Sequence, residues 1–135
     1  MPHPAGLPDL FIDRSLGRIQ VPQLLRDAGL RLVTLSERYG IPNDESVSDE
    51  QWLNDVGDRG EAAFMKDGRV RYNPPEKAAI IRRRVRCFCL ARRDLAAEEM
   101  ATRFLRSLDR ITEVCADPGP FMYAVHENRI EQLDL

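Results

Sequence analysis

Three aspartates stand where chemistry is easily built. Asp13 closes the apolar run of "DLFID", Asp67 closes "EAAFMKD", and Asp49 opens "DEQWLNDVGDRG". Asp44, Glu45 and Glu50 crowd the approach to the last of these segments. Carboxylates gathered in one crevice repel one another unless a divalent cation neutralises them. An all-oxygen donor set with no neighbouring His or Cys suits Mg2+ or Mn2+ rather than Zn2+. Such an ion polarises a phosphoryl oxygen and lowers the pKa of a bound water, and two ions clamp an in-line displacement at phosphorus. Metal-assisted phosphodiester hydrolysis is the chemistry these residues support. A second reading competes with it: aspartate is a preferred helix cap, and each of the three precedes a turn or helix.

The elements that must position these acids alternate along the chain. "LPDLFID" reads as a short buried strand, and "GRIQVPQLLRDAG" as a helix with Pro22 in its first turn and Gly29 at its stop. "LRLVTL" is a second strand, followed by a polar loop, 36–48, with room for a turn of helix. The next helix starts at a Ser48/Asp49 cap signal, buries Trp52, Leu53 and Val56, and ends at Gly60. "EAAFMKD" is a third strand, "NPPEKAAIIRRR" a helix entered through two prolines, and "VRCFCLA" a fourth strand. "DLAAEEMATRFLRSLDRITEVCAD" reads as one long helix capped by Asp94, with Leu95, Met100, Phe104, Leu108, Ile111 and Cys115 as its apolar stripe. A closing hairpin turns at "HENR".

Strand–helix alternation predicts an α/β domain with a mainly parallel sheet, in which ligands bind at the carboxyl ends of the strands. Asp13 and Asp67 would share that edge. The length of 135 residues fits one domain, expected over 9–135 behind a flexible segment 1–8. The net charge of −2 leaves nucleic-acid or membrane binding to a local patch. No apolar run approaches the roughly 18 residues of a membrane span, and "MPHPAGLPDL" has neither the basic nor the apolar region of a signal peptide. Three cysteines, two inside an apolar run, fit a reducing, cytoplasmic setting. Cys87 and Cys89 read as core, and no nucleotide-binding glycine loop occurs.

Cations flank the acids. Arg14 and Lys66 adjoin proposed ligands, Arg69 and Arg71 extend the line, and Tyr72 offers a stacking platform, as an RNA backbone needs. For Arg14 and Lys66, charge balance of the acids is the competing reading. The run Arg82–Arg84 reads as the solvated end of a helix.

"FIDRSLGRIQVPQLLRDAGLRLVTL", "DEQWL", "MKDGRVRYNPPEKAAI" and "CFCLARRDLAAEEMA" together resemble the PIN-like domains of VapC-type toxins, over nearly the whole chain from residue 9. The resemblance implies a three-layer α/β/α ribonuclease fold that holds Mg2+ or Mn2+ through clustered acids. It places Asp13, Asp49 and Asp67 at the metal, with Asp94 as the nearest match to a fourth acid. It also implies an RNA substrate, a cognate antitoxin and a homodimer. Glu61 and Ala62 depart from the large apolar residue this subgroup often carries before the third strand, which bears on packing. Two alternatives remain: an incomplete PIN-like domain acting as a protein- or RNA-binding module, and a small metal-dependent phosphatase. The nuclease reading requires the carboxylates of Asp13, Asp49 and Asp67 to converge within reach of one ion; without that, Asp13 is a cap.

Overall fold

The computed structural model describes residues 2–135. Six strands form one sheet in the order β2-β1-β3-β4-β5-β6. They are β1 (Leu10–Ile12), β2 (Leu32–Thr34), β3 (Ala62–Met65), β4 (Arg86–Leu90), β5 (Phe121–Val125) and β6 (Ile130–Leu133). The first five are parallel and β6 runs antiparallel to β5. Helices α1 (Gln20–Asp27), α5 (Ala97–Arg106) and α6 (Leu108–Val114) cover one face, and α2 (Leu35–Tyr39), α3 (Asp49–Arg59) and α4 (Pro74–Arg82) the other. This is the expected α/β/α sandwich.

The period of two along each strand builds both cores at once. Leu10, Ile12, Ala62, Phe64, Phe88, Leu90, Phe121 and Val125 meet α1, α5 and α6. Their alternates Phe11, Ala63, Met65, Cys87, Cys89, Met122 and Ala124 meet α2, α3 and α4. Phe64 stacks on Phe104 at 4.3 Å, and Phe11 on Trp52 at 5.0 Å. The cysteines are free and buried, and burial pushes both strand thiols up, Cys89 to about 11, so they are core and not reactive thiolates.

Two expectations change. The long helix is two, divided at Ser107, whose amide bonds back to Arg103 and Leu105. The stripe Met100, Phe104, Leu108, Ile111 and Cys115 stays in one core through the break, so its period hides it. Asp94 does not cap α5, because the cap position is Ala96 and the Asp94 carboxylate turns to Arg92 at 2.7 Å. Ahead of β1, His3 Nδ1 accepts the Arg31 amide at 2.9 Å, and Leu7 is buried. Met1 lies outside the described residues.

The departure at Glu61 also finds its partner. Arg38 donates to both Glu61 oxygens, at 2.7 and 2.5 Å, and lies over the Phe11 ring. The pair is 10% and 11% exposed, so the position is filled by a desolvated, bidentate ion pair instead of an apolar side chain. Arg82 and Arg83 reach Asn54 and Asp58 at the outer end of α4, as a solvated helix terminus should.

Candidate active site

The chain leaves β1 in one direction to form β2 and in the other to form β3, so the crevice between the carboxyl ends of β1 and β3 is a topological switch point. Asp13 and Asp67 stand on its two lips. The Asp13 amide donates to the Phe64 carbonyl at 3.0 Å, which fixes one lip against the other. Ser15 repeats the tie: its hydroxyl donates to Asp13 Oδ2 at 2.6 Å and accepts the Lys66 amide at 3.0 Å.

A cavity of about 430 Å³ opens here, lined by Asp13, Ser15, Asp49, Asp67, Arg69 and Glu76, among others. All three predicted acids therefore line one cleft, but they do not stand at the spacing a single ion needs. Asp13 is both a cap and a site residue. Its Oδ2 accepts from Ser15 as a cap should, whereas Oδ1 is buried with no hydrogen-bond partner. A native fold rarely leaves a carboxylate oxygen buried and unpaired without a reason. Asp49 follows the true cap, Ser48, and its Oδ1 accepts the indole N–H of the fully buried Trp52 at 2.9 Å. The core thus aims this side chain.

Asp67 is oriented differently. Its Oδ1 accepts the Arg69 amide at 2.9 Å, and its Oδ2 accepts Arg69 Nε at 2.6 Å and Arg93 at 3.2 Å. Burial raises its pKa, but the bonds from Arg69 and Arg93 outweigh burial and hold it below the usual range. Asp13 is shifted the other way, chiefly by burial and further by the charge of Asp49.

The residue the sequence reading missed is Glu76, in the first turn of α4. Burial raises its pKa first, then the charge of Asp49, a hydrogen bond to the Asp49 carboxyl, and the charge of Asp13. An acid in a first turn is ordinarily read as a complement to the helix dipole, which concealed it. Asp94 is exposed on its ion pair with Arg92 and does not line the cleft. Arg14 is also elsewhere. Its guanidinium donates to the carbonyls of Asp44 and Val47 at 3.2 and 2.8 Å, clipping down the loop before α3. The Lys66 side chain lines neither the cleft nor the cavity beside it. Arg69 lies in the cleft, and Arg71 lies next door over the ring of Tyr72 at 4.4 Å.

In chemistry, though not in spacing, the lining is the all-oxygen, acidic kind that a hard divalent cation takes. Asp13, Asp49 and Glu76 crowd one another, one oxygen is orphaned, and no His or Cys lines the cleft. Among the described residues no three acidic, His or Cys side chains stand together at metal-holding spacing. Asp67 in particular is occupied by its two arginines.

The cleft at the switch point of a mainly parallel sheet defines the class: a three-layer α/β domain with a carboxylate-lined crevice at the strands' carboxyl ends. The family model for a PIN like domain matches residues 8–92, and the chain belongs to that family. It is 44% identical, over 93% of its length and 91% of the relative's, to a Mycobacterium tuberculosis (strain ATCC 25618 / H37Rv) protein named "Putative ribonuclease VapC45". This places it with VapC-type PIN-like domains. No solved structure matches it significantly.

Proposed function

We propose that the protein is a divalent-metal-dependent endoribonuclease and the toxin of a VapBC-like pair, its cleft held in check by an antitoxin protein. The observation that carries this reading is the buried, unpartnered Oδ1 of Asp13, a residue that lines one cleft with Asp49 and Glu76. The name of the M. tuberculosis relative supports the choice of RNA.

Asp13, Asp49 and Glu76 would hold Mg2+ or Mn2+, which when bound supplies Lewis-acid activation of the phosphodiester and of water. The protein's own groups do the rest. Ser15 holds Asp13 in one rotamer, and Trp52 aims Asp49. Burial and the charges of Asp49 and Asp13 hold the Glu76 carboxyl above its usual range, and positive charge in the cleft would relieve that cost. Arg69 and Arg93 exchange the Asp67 carboxylate for a substrate phosphate, which frees Asp67 toward the cleft.

Incubating a single-stranded RNA with the protein and Mg2+ or Mn2+ tests this. Internal cleavage, stopped by chelation and by Asp13→Asn, is expected. Turnover of phosphomonoesters with the RNA left intact contradicts it and indicates a phosphatase. The engagement of Asp67 by two arginines favours one other reading, a binding module, whose mark is RNA binding without cleavage at any metal concentration.

A further inference from the structure

We propose that the RNA leaves the cleft along one flank only, across the carboxyl ends of β4 and β5, on a track set by Arg93, Arg92 and Arg129. This rests on the nuclease reading and gives that site a direction. The cleft shares Asp67 and Arg69 with a second cavity of about 410 Å³, lined by Arg71, Tyr72, Arg93 and His126. That cavity shares Ala91 and His126 with a third, lined by Arg92, Arg103 and Arg129. The three run on from one another over the sheet edge.

The side chains along them suit a single strand. Tyr72 is 69% exposed, with Arg71 stacked on its ring, which leaves an aromatic face for a base. Arg93, Arg92 and Arg129 are each more than half exposed, and their carboxylate partners are Asp67, Asp94 and Glu131 at 3.2, 2.7 and 4.0 Å. Exposed pairs of this kind contribute little and exchange readily for phosphate. Arg103 is not counted, since its guanidinium is nearly buried against Glu99. The acids near the track, Glu127 and Glu131, are engaged by Arg106 at 3.9 Å and His126 at 2.8 Å.

The opposite flank has no such path. Arg14 is spent on two main-chain carbonyls and Arg18 on the buried Asp44. The cavity beside them holds only about 60 Å³.

The test is fluorescence anisotropy of a labelled 12-nucleotide single-stranded RNA with the full chain in chelator, so that nothing is cut. It is repeated across a salt series. Arg92→Ala/Arg129→Ala is expected to weaken binding at least tenfold and to flatten the log–log salt slope by roughly 1.4, about 0.7 per lost phosphate contact. Tyr72→Ala is expected to weaken binding about tenfold with the slope unchanged. Arg82→Ala/Arg110→Ala removes the same charge at the end of α4 and within α6, off the track, and should change neither. In the cleavage assay, trimming the RNA on one side of the cut should lower kcat/KM and trimming the other should not. Equal losses from both double variants, or none from Arg92→Ala/Arg129→Ala, overturn the track even if RNA is still cleaved. Retained RNA binding with loss of binding to polyglutamate, the probe for an acidic protein, overturns it in favour of a protein-docking face. Track-dependent binding without cleavage at any metal concentration supports the track and counts only against the catalytic reading.

Discussion

The two flanks of the cleft are both rich in arginine, yet they do different work. On the β2 side Arg14 donates to the carbonyls of Asp44 and Val47 and Arg18 to the buried Asp44 carboxylate, which holds the loop that delivers α3. On the β4 side Arg69 and Arg93 face outward and are joined only to an aspartate of the cleft. Adjacency to a site residue in sequence does not make a cation part of the site. Arg14 follows Asp13 directly and does not line the cleft, whereas Arg93 comes from the loop after β4 and reaches an acid that does. A guanidinium bonded to buried carbonyls is structural. One whose partner is an exchangeable surface carboxylate is available to substrate.

The largest expected effect lies between the flanks. Glu76→Gln or Asp13→Asn should reduce RNA cleavage a hundredfold or more, since several kcal/mol of transition-state stabilisation depend on the cation. Asp94→Asn should leave the rate unchanged. Next comes Trp52→Phe, which keeps a stacked ring on Phe11 but removes the N–H donated to Asp49. Metal affinity should fall about 10- to 100-fold, the usual cost of losing a group that orients a ligand. Equal affinity would detach the core from the site.

The flanks themselves separate by stability. Arg14→Ala should lower unfolding free energy by about 1.5–3 kcal/mol, as expected for charge-assisted bonds to carbonyls. Arg93→Ala should cost under about 0.5 kcal/mol in urea denaturation while weakening RNA binding. If the two behave alike, the contrast between the flanks is wrong.

The smallest effect is a pH signature. Asp13 and Glu76 have folded pKa values above their ordinary 3.8 and 4.5, so the folded chain binds protons there that the unfolded chain does not. Their ionisation costs stability above the raised values. The cost is relieved as pH falls through them and disappears below the ordinary ones. The metal-free wild type should therefore gain stability relative to Asp13→Asn/Glu76→Gln as pH falls from neutrality, and saturating Mg2+ should abolish the difference in thermal melts.

Much of this was legible in the sequence. Strand–helix alternation gives the sandwich, because runs such as "LFI" and "AAFM" are apolar on both faces and so must lie between two helix layers. The strand-terminal positions of Asp13 and Asp67 follow from the same pattern. The fourth acid did not follow, because Glu76 reaches the cleft only through the packing of α4 on α3. Nor did the break at Ser107, which leaves the apolar period intact. Which arginine faces which carboxylate depends on tertiary geometry that local pattern does not carry, hence Arg14, expected at the site, lies outside it.

The central claim is that Asp13, Asp49 and Glu76 make a cation site, and calorimetric titration with Mn2+ tests it most directly. The wild type and Asp94→Asn should bind Mn2+ saturably, and Asp13→Asn and Glu76→Gln should lose that binding. No binding to the wild type at millimolar Mn2+, or binding lost in Asp94→Asn but kept in Glu76→Gln, would contradict it.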